Sequence, residues 1–222
     1  MLAVIAAAGE QGISRDRLVA IFWPESDDEH ARRSARQALY GLRQELRRDV
    51  VRSAGPLLLL ESREMASDVG AFRGALAAGD RVRAISLSRA PFLDGFHLPG
   101  APAFERWAEE ERERLARLRV SALAALATEA GRGDEAVEWW RELTEADPLS
   151  GRFAAGYLKA LAARGDRAAA LAFVRKHEAL VRRELEVDPD PEVRRLEALL
   201  RAATAPSAGS ARPDASVELP AA

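Results

Sequence analysis

Along the first fifty residues, apolar positions recur at helical spacing and are broken by short polar turns. Residues 2–8 form an apolar run stopped by Gly9 and Gly12. Ser14 then stands where an N-cap belongs, with Arg17 rather than an acid three residues on, so the full capping box is absent. Leu18, Val19, Ile21 and Phe22 give residues 15–22 one apolar face, and Pro24 ends that helix because proline disfavours helix in the residue before it. Glu25, Ser26, Asp27 and Asp28 form a turn whose acids suit the start of a third helix. That helix, about residues 28–48, carries Ala35, Ala38, Leu39, Leu42 and Leu46 as a single apolar stripe. Short apolar runs then flank Ser53-Ala54-Gly55-Pro56, which predicts a β-hairpin in residues 50–62, the only β structure expected; a buried loop is the alternative there.

From about residue 65 to residue 202 the pattern is helix after helix. Gly79-Asp80, Gly133-Asp134 and Gly165-Asp166 each close one helix and open another, glycine relieving the left-handed conformation and aspartate capping the next helix. The last two of these turns lie 32 residues apart, near the tetratricopeptide period. Stripes such as Leu115, Leu118, Ala122 and Leu126, or Ala154, Tyr157, Leu158 and Leu161, predict stacked helical hairpins, with a last helix after Asp188-Pro189. Trp107, Trp139, Trp140, Phe92 and Phe96 read as packing between hairpins rather than as a ligand box. Residues 203–222 hold Pro206, Pro213 and Pro220 without apolar periodicity and read as a disordered tail.

Charge sharpens the reading of the third helix. The chain as a whole carries a net charge of −2, which excludes a generic polyanion binder. Its basic residues are nearly all arginine, with Lys159 and Lys176 as the only lysines among 33, a bias that GC-rich coding alone would produce. Placement is a separate matter, because six arginines and a single acid, Glu45, fall between Ala31 and Arg48. Opposite the apolar stripe lie Arg33, Gln37, Tyr40, Gln44 and Arg47, flanked by Arg32, Arg36, Arg43 and Arg48. Such a face fits the recognition helix of a helix-turn-helix, with Arg33, Gln37, Tyr40 and Gln44 towards base edges, Arg32, Arg36, Arg43 and Arg47 towards phosphates, and Arg52 on the predicted wing. Spacing alone supports a solvated helix face equally well.

Other chemistry finds little support. There are no cysteines, which fits a reducing cytoplasm and excludes disulfides and thiolate metal sites. No apolar run is long enough for a membrane span, and the apolar start lacks the basic flank of a signal peptide. His30, His97 and His177 stand alone. Glu109, Glu110, Glu111 and Glu113 alternate with Arg112 and Arg114, which marks an exposed, salt-bridged helix rather than catalytic carboxylates. With no phosphate-cradling glycine loop and no nucleophile elbow, the chain reads as non-enzymatic and without a cofactor.

Two sets of motifs resemble a known family. Arg17-Leu18, then Phe22-Trp23-Pro24-Glu25-Ser26, then Ala31-Arg32-Arg33-Ser34-Ala35-Arg36-Gln37-Ala38-Leu39-Tyr40 resembles the winged helix of antibiotic-regulatory-protein (SARP) type activators. Ala90-Pro91-Phe92-Leu93-Asp94-Gly95-Phe96, Phe104-Glu105-Arg106-Trp107, Asp147-Pro148-Leu149 and Asp188-Pro189-Asp190-Pro191-Glu192 resemble their bacterial transcriptional activator domain. The resemblance covers about residues 15–202. It implies a mainly α protein with an OmpR-type winged helix in residues 1–64 and a tetratricopeptide-like module in residues 65–202. It also implies binding of double-stranded DNA, often as a homodimer on repeated sites, and contact with RNA polymerase. In the wider class the acidic loop at residues 25–28 can touch polymerase; here those acids read first as partners of a helix dipole. The family's winged helix opens with a small N-terminal sheet, whereas this sequence enters at the first helix. Either the start is displaced or the sheet is lost, and a lost sheet would leave a protein-binding adaptor instead of a DNA reader.

Overall fold

The second and third helices each begin at a side-chain cap in the computed structural model, which describes residues 1–202; the expected tail at residues 203–222 lies outside the described residues. After α1 (Leu2–Ala7) and a short 3₁₀ turn, β1 (Ile13–Ser14) leads into α2 (Arg15–Phe22), where the Ser14 hydroxyl accepts the Arg17 amide at 3.1 Å. Asp27 caps α3 (Asp28–Leu46) by accepting the His30 amide at 2.9 Å. Arg47 ends that helix in the left-handed conformation, with φ 51°. The strands β2 (Val51–Ala54) and β3 (Leu57–Leu60) form the expected hairpin.

One expectation needs correction, since β structure is not confined to the hairpin. Ile13 and Ser14 pair antiparallel with Leu58 and Leu57, giving a three-stranded sheet of order β1-β3-β2. Gly12 makes that return possible. Its φ of 67° and ψ of 176° lie in a region open essentially only to glycine. A Cβ there would also sit 2.9 Å from the Leu58 carbonyl oxygen.

The first compact unit runs from Met1 to Gly131 and includes α4 (Asp68–Ala77), α5 (Arg81–Leu87) and the long α6 (Pro102–Glu129). Its main core joins Val4, Ile5, Leu18, Ile21, Val50 and Leu58 of the winged helix to Phe104 and Ala108 of α6. Phe22 stacks on Phe104 at 5.4 Å between ring centroids. Arg73 of α4 donates to both the Ala7 carbonyl and the Glu111 carboxylate. Glu111 is therefore buried, at 6% exposure, against the expectation of an exposed acidic face, because only one of the clustered glutamates turns inward to meet a cation from another helix. The irregular segment 88–101 is held to α6 at two places. Arg112 donates to the carbonyls of Phe92 and Leu93 at 2.8 and 3.0 Å, and Glu105 accepts the Leu98 amide at 2.6 Å. That amide, with His97 beside it, draws the Glu105 carboxyl below its ordinary pKa.

The second unit begins at Arg132 and holds α7 (Asp134–Ala146), α8 (Gly151–Arg164), α9 (Arg167–Leu185) and α10 (Pro191–Ala202). Helix α8 touches the other three, and its Ala154, Leu158 and Leu161 are buried. The absence of a side chain at Gly156 lets the Trp140 ring lie against α8: a Cβ there would meet three ring atoms at 2.5–2.6 Å. Asp80 and Asp166 cap their helices as expected, accepting the Arg83 and Ala169 amides at 3.1 Å. Asp134 does not. Gly131 takes the positive φ of 62° there, the turn shifts, and Gly133 becomes the N-cap with no side-chain bond.

This packing sets two stability outcomes. A fragment of residues 1–64 lacks Phe104 and Ala108 and should give no cooperative thermal transition by circular dichroism, whereas residues 1–131 should melt cooperatively. Gly156→Ala forces Trp140 to move and should cost about 1–3 kcal/mol in denaturant unfolding, the range of overpacked cores; a wild-type midpoint would show that the ring yields freely.

Candidate nucleic-acid interface

The candidate surface is built on α3, whose inner side is fixed first. Ala31 and Ala35 are buried, and Leu39, Leu42 and Leu46 pack on the core of the first unit. With that stripe held inward, helical geometry dictates the outward face. Arg33, Gln37, Tyr40 and Gln44 fall within about 40° of the pole opposite Ala35, at 3.6 residues per turn. All four are exposed, Tyr40 at 64%. Arg32, Arg36, Arg43 and Arg47 are exposed as well and occupy one flank only, about 60–120° round from Ala35. The opposite flank carries Ser34, Gly41 and Glu45. The basic stripe is thus one-sided.

The arginines divide by their neighbours. Arg32 pairs with Asp16 of α2 at 3.3 Å, with both side chains largely exposed. Arg43 is more firmly engaged: its Nε lies 3.1 Å from Asp49, and its Nη2 donates to the Val51 carbonyl at 3.3 Å, joining α3 to the start of β2. Arg52, exposed on β2, faces Glu61 at 3.6 Å across the base of the hairpin. Arg33, Arg36 and Arg47 have no ion pair among the described residues. The structure therefore gathers eight of the nine candidates along α3 and its C-cap and places Arg52 on the hairpin. Asp27 is occupied as the N-cap, with Asp28 and Glu29 in the first turn, where their charge complements the helix dipole.

Sequence reasoning missed one participant. Arg15, the first residue of α2, donates from Nη1 to the Gly55 carbonyl at 2.9 Å and from Nη2 to the Ser53 hydroxyl at 2.8 Å. Its backbone amide also donates to the Pro56 carbonyl at 3.3 Å. No periodic signal marks this residue, because its partners stand 38 and 40 positions away.

Little else resembles a reaction centre. Among the described residues no three histidine, cysteine or acidic side chains gather where they could hold a metal ion. His177 is buried with Nδ1 3.1 Å from the Pro148 carbonyl, and His97 sits 3.4 Å from Glu105. No helix among the described residues is long and apolar enough to cross a membrane.

The family model for the bacterial transcriptional activator domain matches residues 58–201. Among solved structures, the chain is similar to EmbR of Mycobacterium tuberculosis, solved in complex with a low-affinity phosphopeptide. The TM-score is 0.53 and the identity 21%, over 91% of this chain and 58% of that one. The chain thus spans little more than half the length of the protein whose fold it shares. No curated protein sequence gives a significant match. A mainly helical chain with a three-stranded sheet, matched by that family over most of its length, belongs to the bacterial transcriptional activator domain family.

Proposed function

We propose that this chain regulates transcription by binding double-stranded DNA, with residues 1–64 forming the DNA-reading module and residues 65–202 the module that contacts protein. In this reading α3 enters the major groove. Arg33, Gln37, Tyr40 and Gln44 face base edges, Arg36 and Arg47 meet phosphates, and Arg32 joins them by exchanging Asp16 for a phosphate. Arg43 serves mainly to hold the wing, and Arg52 reaches the backbone from it. The protein works in the cytoplasm as an activator, as a homodimer on repeated sites, and the helical module meets RNA polymerase. No catalytic step is assigned to it.

The observation that carries this reading is the one-sided arginine flank of α3, with Arg33, Arg36 and Arg47 unpaired among the described residues beside a hairpin tied down by its own contacts. On α7, by contrast, the basic residue is neutralised on its own helix, where Arg141 lies between Glu138 and Glu145 at 2.8 and 2.7 Å.

The protein should retard duplex DNA in a salt-dependent manner, with affinity falling about tenfold or more from low to physiological salt. Arg36→Ala with Arg47→Ala should weaken binding to every sequence and flatten the salt slope. Arg33→Ala or Gln37→Ala should cost about 1–3 kcal/mol at a selected site and little elsewhere. These side chains are exposed, so melting curves of all variants should overlay the wild type. A folded protein that binds no duplex at low salt would instead be a helical adaptor with a winged helix that no longer reads DNA.

A further inference from the structure

We infer that Arg15 is a positioning residue that fixes the tip of the wing through the two arms of its guanidinium; the consequence for DNA rests on the proposed DNA-reading function. The hairpin turns through Gly55 and Pro56, with Gly55 at φ 60°, as the first central position of a type II′ turn requires. From Arg52 to Pro56 every residue is exposed, so no apolar cover holds this end of the ribbon. A two-stranded ribbon left to itself is marginal in water. β3 has β1 along its other edge, pairing as far as Leu57, but among the described residues β2 has no strand beyond it. Among the described residues, two helix side chains hydrogen-bond to the hairpin. Arg43 meets the base of β2 at Val51, and Arg15 meets its far end, with one nitrogen on Ser53 of β2 and the other on Gly55 of the turn.

The two acceptors differ in kind and lie on either side of Ala54, so both arms of a planar fork are needed to fix pitch as well as position. A lysine, with a single point charge on a flexible stem, can satisfy one acceptor at a time. Arg15 is itself fixed, because its backbone amide bonds the Pro56 carbonyl and the residue before it is the N-cap of α2. The fork thus transmits the placement of α2 to the tip of the wing and sets where Arg52 and the turn amides stand beside α3.

The experiment compares wild type, Arg15→Lys, Arg15→Ala and Ser53→Ala by amide exchange in the free protein and by binding and backbone footprinting on a selected duplex. In Arg15→Ala, exchange at the Ala54 and Leu57 amides, the pair that closes the ladder beside the turn, should rise about tenfold or more, the mark of local opening rather than global unfolding. Arg15→Lys and Ser53→Ala should fall in between. Binding should weaken roughly three- to tenfold, with protection lost at the edge of the site and kept at its centre. Unchanged exchange overturns the inference; if affinity nonetheless falls, Arg15 is touching phosphate itself. Faster exchange with an unaltered footprint and affinity bears out the hold on the wing and overturns its consequence for DNA. Absence of DNA binding by the wild type counts against the proposed function alone, and the exchange data then decide whether Arg15 holds the wing. If Arg15→Ala does not fold, Arg15→Lys and Ser53→Ala decide between the same outcomes.

Discussion

All four leucines of β3 pair with β2 on one edge, and Leu57 and Leu58 pair with the two residues of β1 on the other. An apolar strand of this kind cannot be left as an open edge without inviting another chain to pair with it. Covering it from the start of the chain requires a reversal within five residues of α1, and Gly12 supplies the backbone conformation that no other residue adopts cheaply. The same reversal delivers Ile13 to the core and leaves Ser14 poised to cap α2. Sheet closure, the start of α2 and the height of the wing are therefore one geometric decision. Helix α3 inherits its place because it packs on α2 and on the same core.

On the outer surface the balance of forces is different. Exposed ion pairs such as Arg32 with Asp16 contribute about 0–1 kcal/mol, so a phosphate can displace the carboxylate at little cost. Arg43 is not equivalent, since withdrawing it abandons a carbonyl as well as Asp49. Arginines indistinguishable in sequence are thereby sorted by the neighbours the fold gives them. Inside, the pair of Arg73 with Glu111 obeys the opposite rule. A carboxylate at 6% exposure is tolerable only while its partner stays, which ties α4, α6 and the end of α1 together.

Most helices were legible because each carries its own signal: a capping side chain, an apolar stripe and a glycine or proline at the end. Ser14, Asp27, Asp80 and Asp166 announce their helices locally, and the structure uses each of them. The features that stayed hidden depend on contacts remote in sequence. β1 is two residues long, too short for any periodicity. Glu111 differs from its neighbours only by facing Arg73, 38 positions earlier. Asp134 matched the repeated turn, yet Gly131 offered a better place for the positive φ and moved the helix start. The candidate interface was readable as a face, because apolar periodicity defines the opposite pole. Which arginines are engaged was not, since Asp16, Asp49 and Ser53 become neighbours only on folding.

Three divisions of the chain rest on three different properties. The polar and apolar pattern changes character near residue 64, the family model begins at residue 58 within β3, and compactness divides the chain at Gly131. The last has a mechanical consequence. Phe104 stacks on Phe22 of α2 and lies 5.7 Å from Trp107, which meets Phe92 edge-on at 5.8 Å. The aromatic chain therefore runs from the helix that supports α3 into the segment that Arg112 pins to α6. A displacement of α6 must either carry α2 with it or break the Phe22 contact outright, so the aromatic chain couples α6 to the helix on which α3 packs.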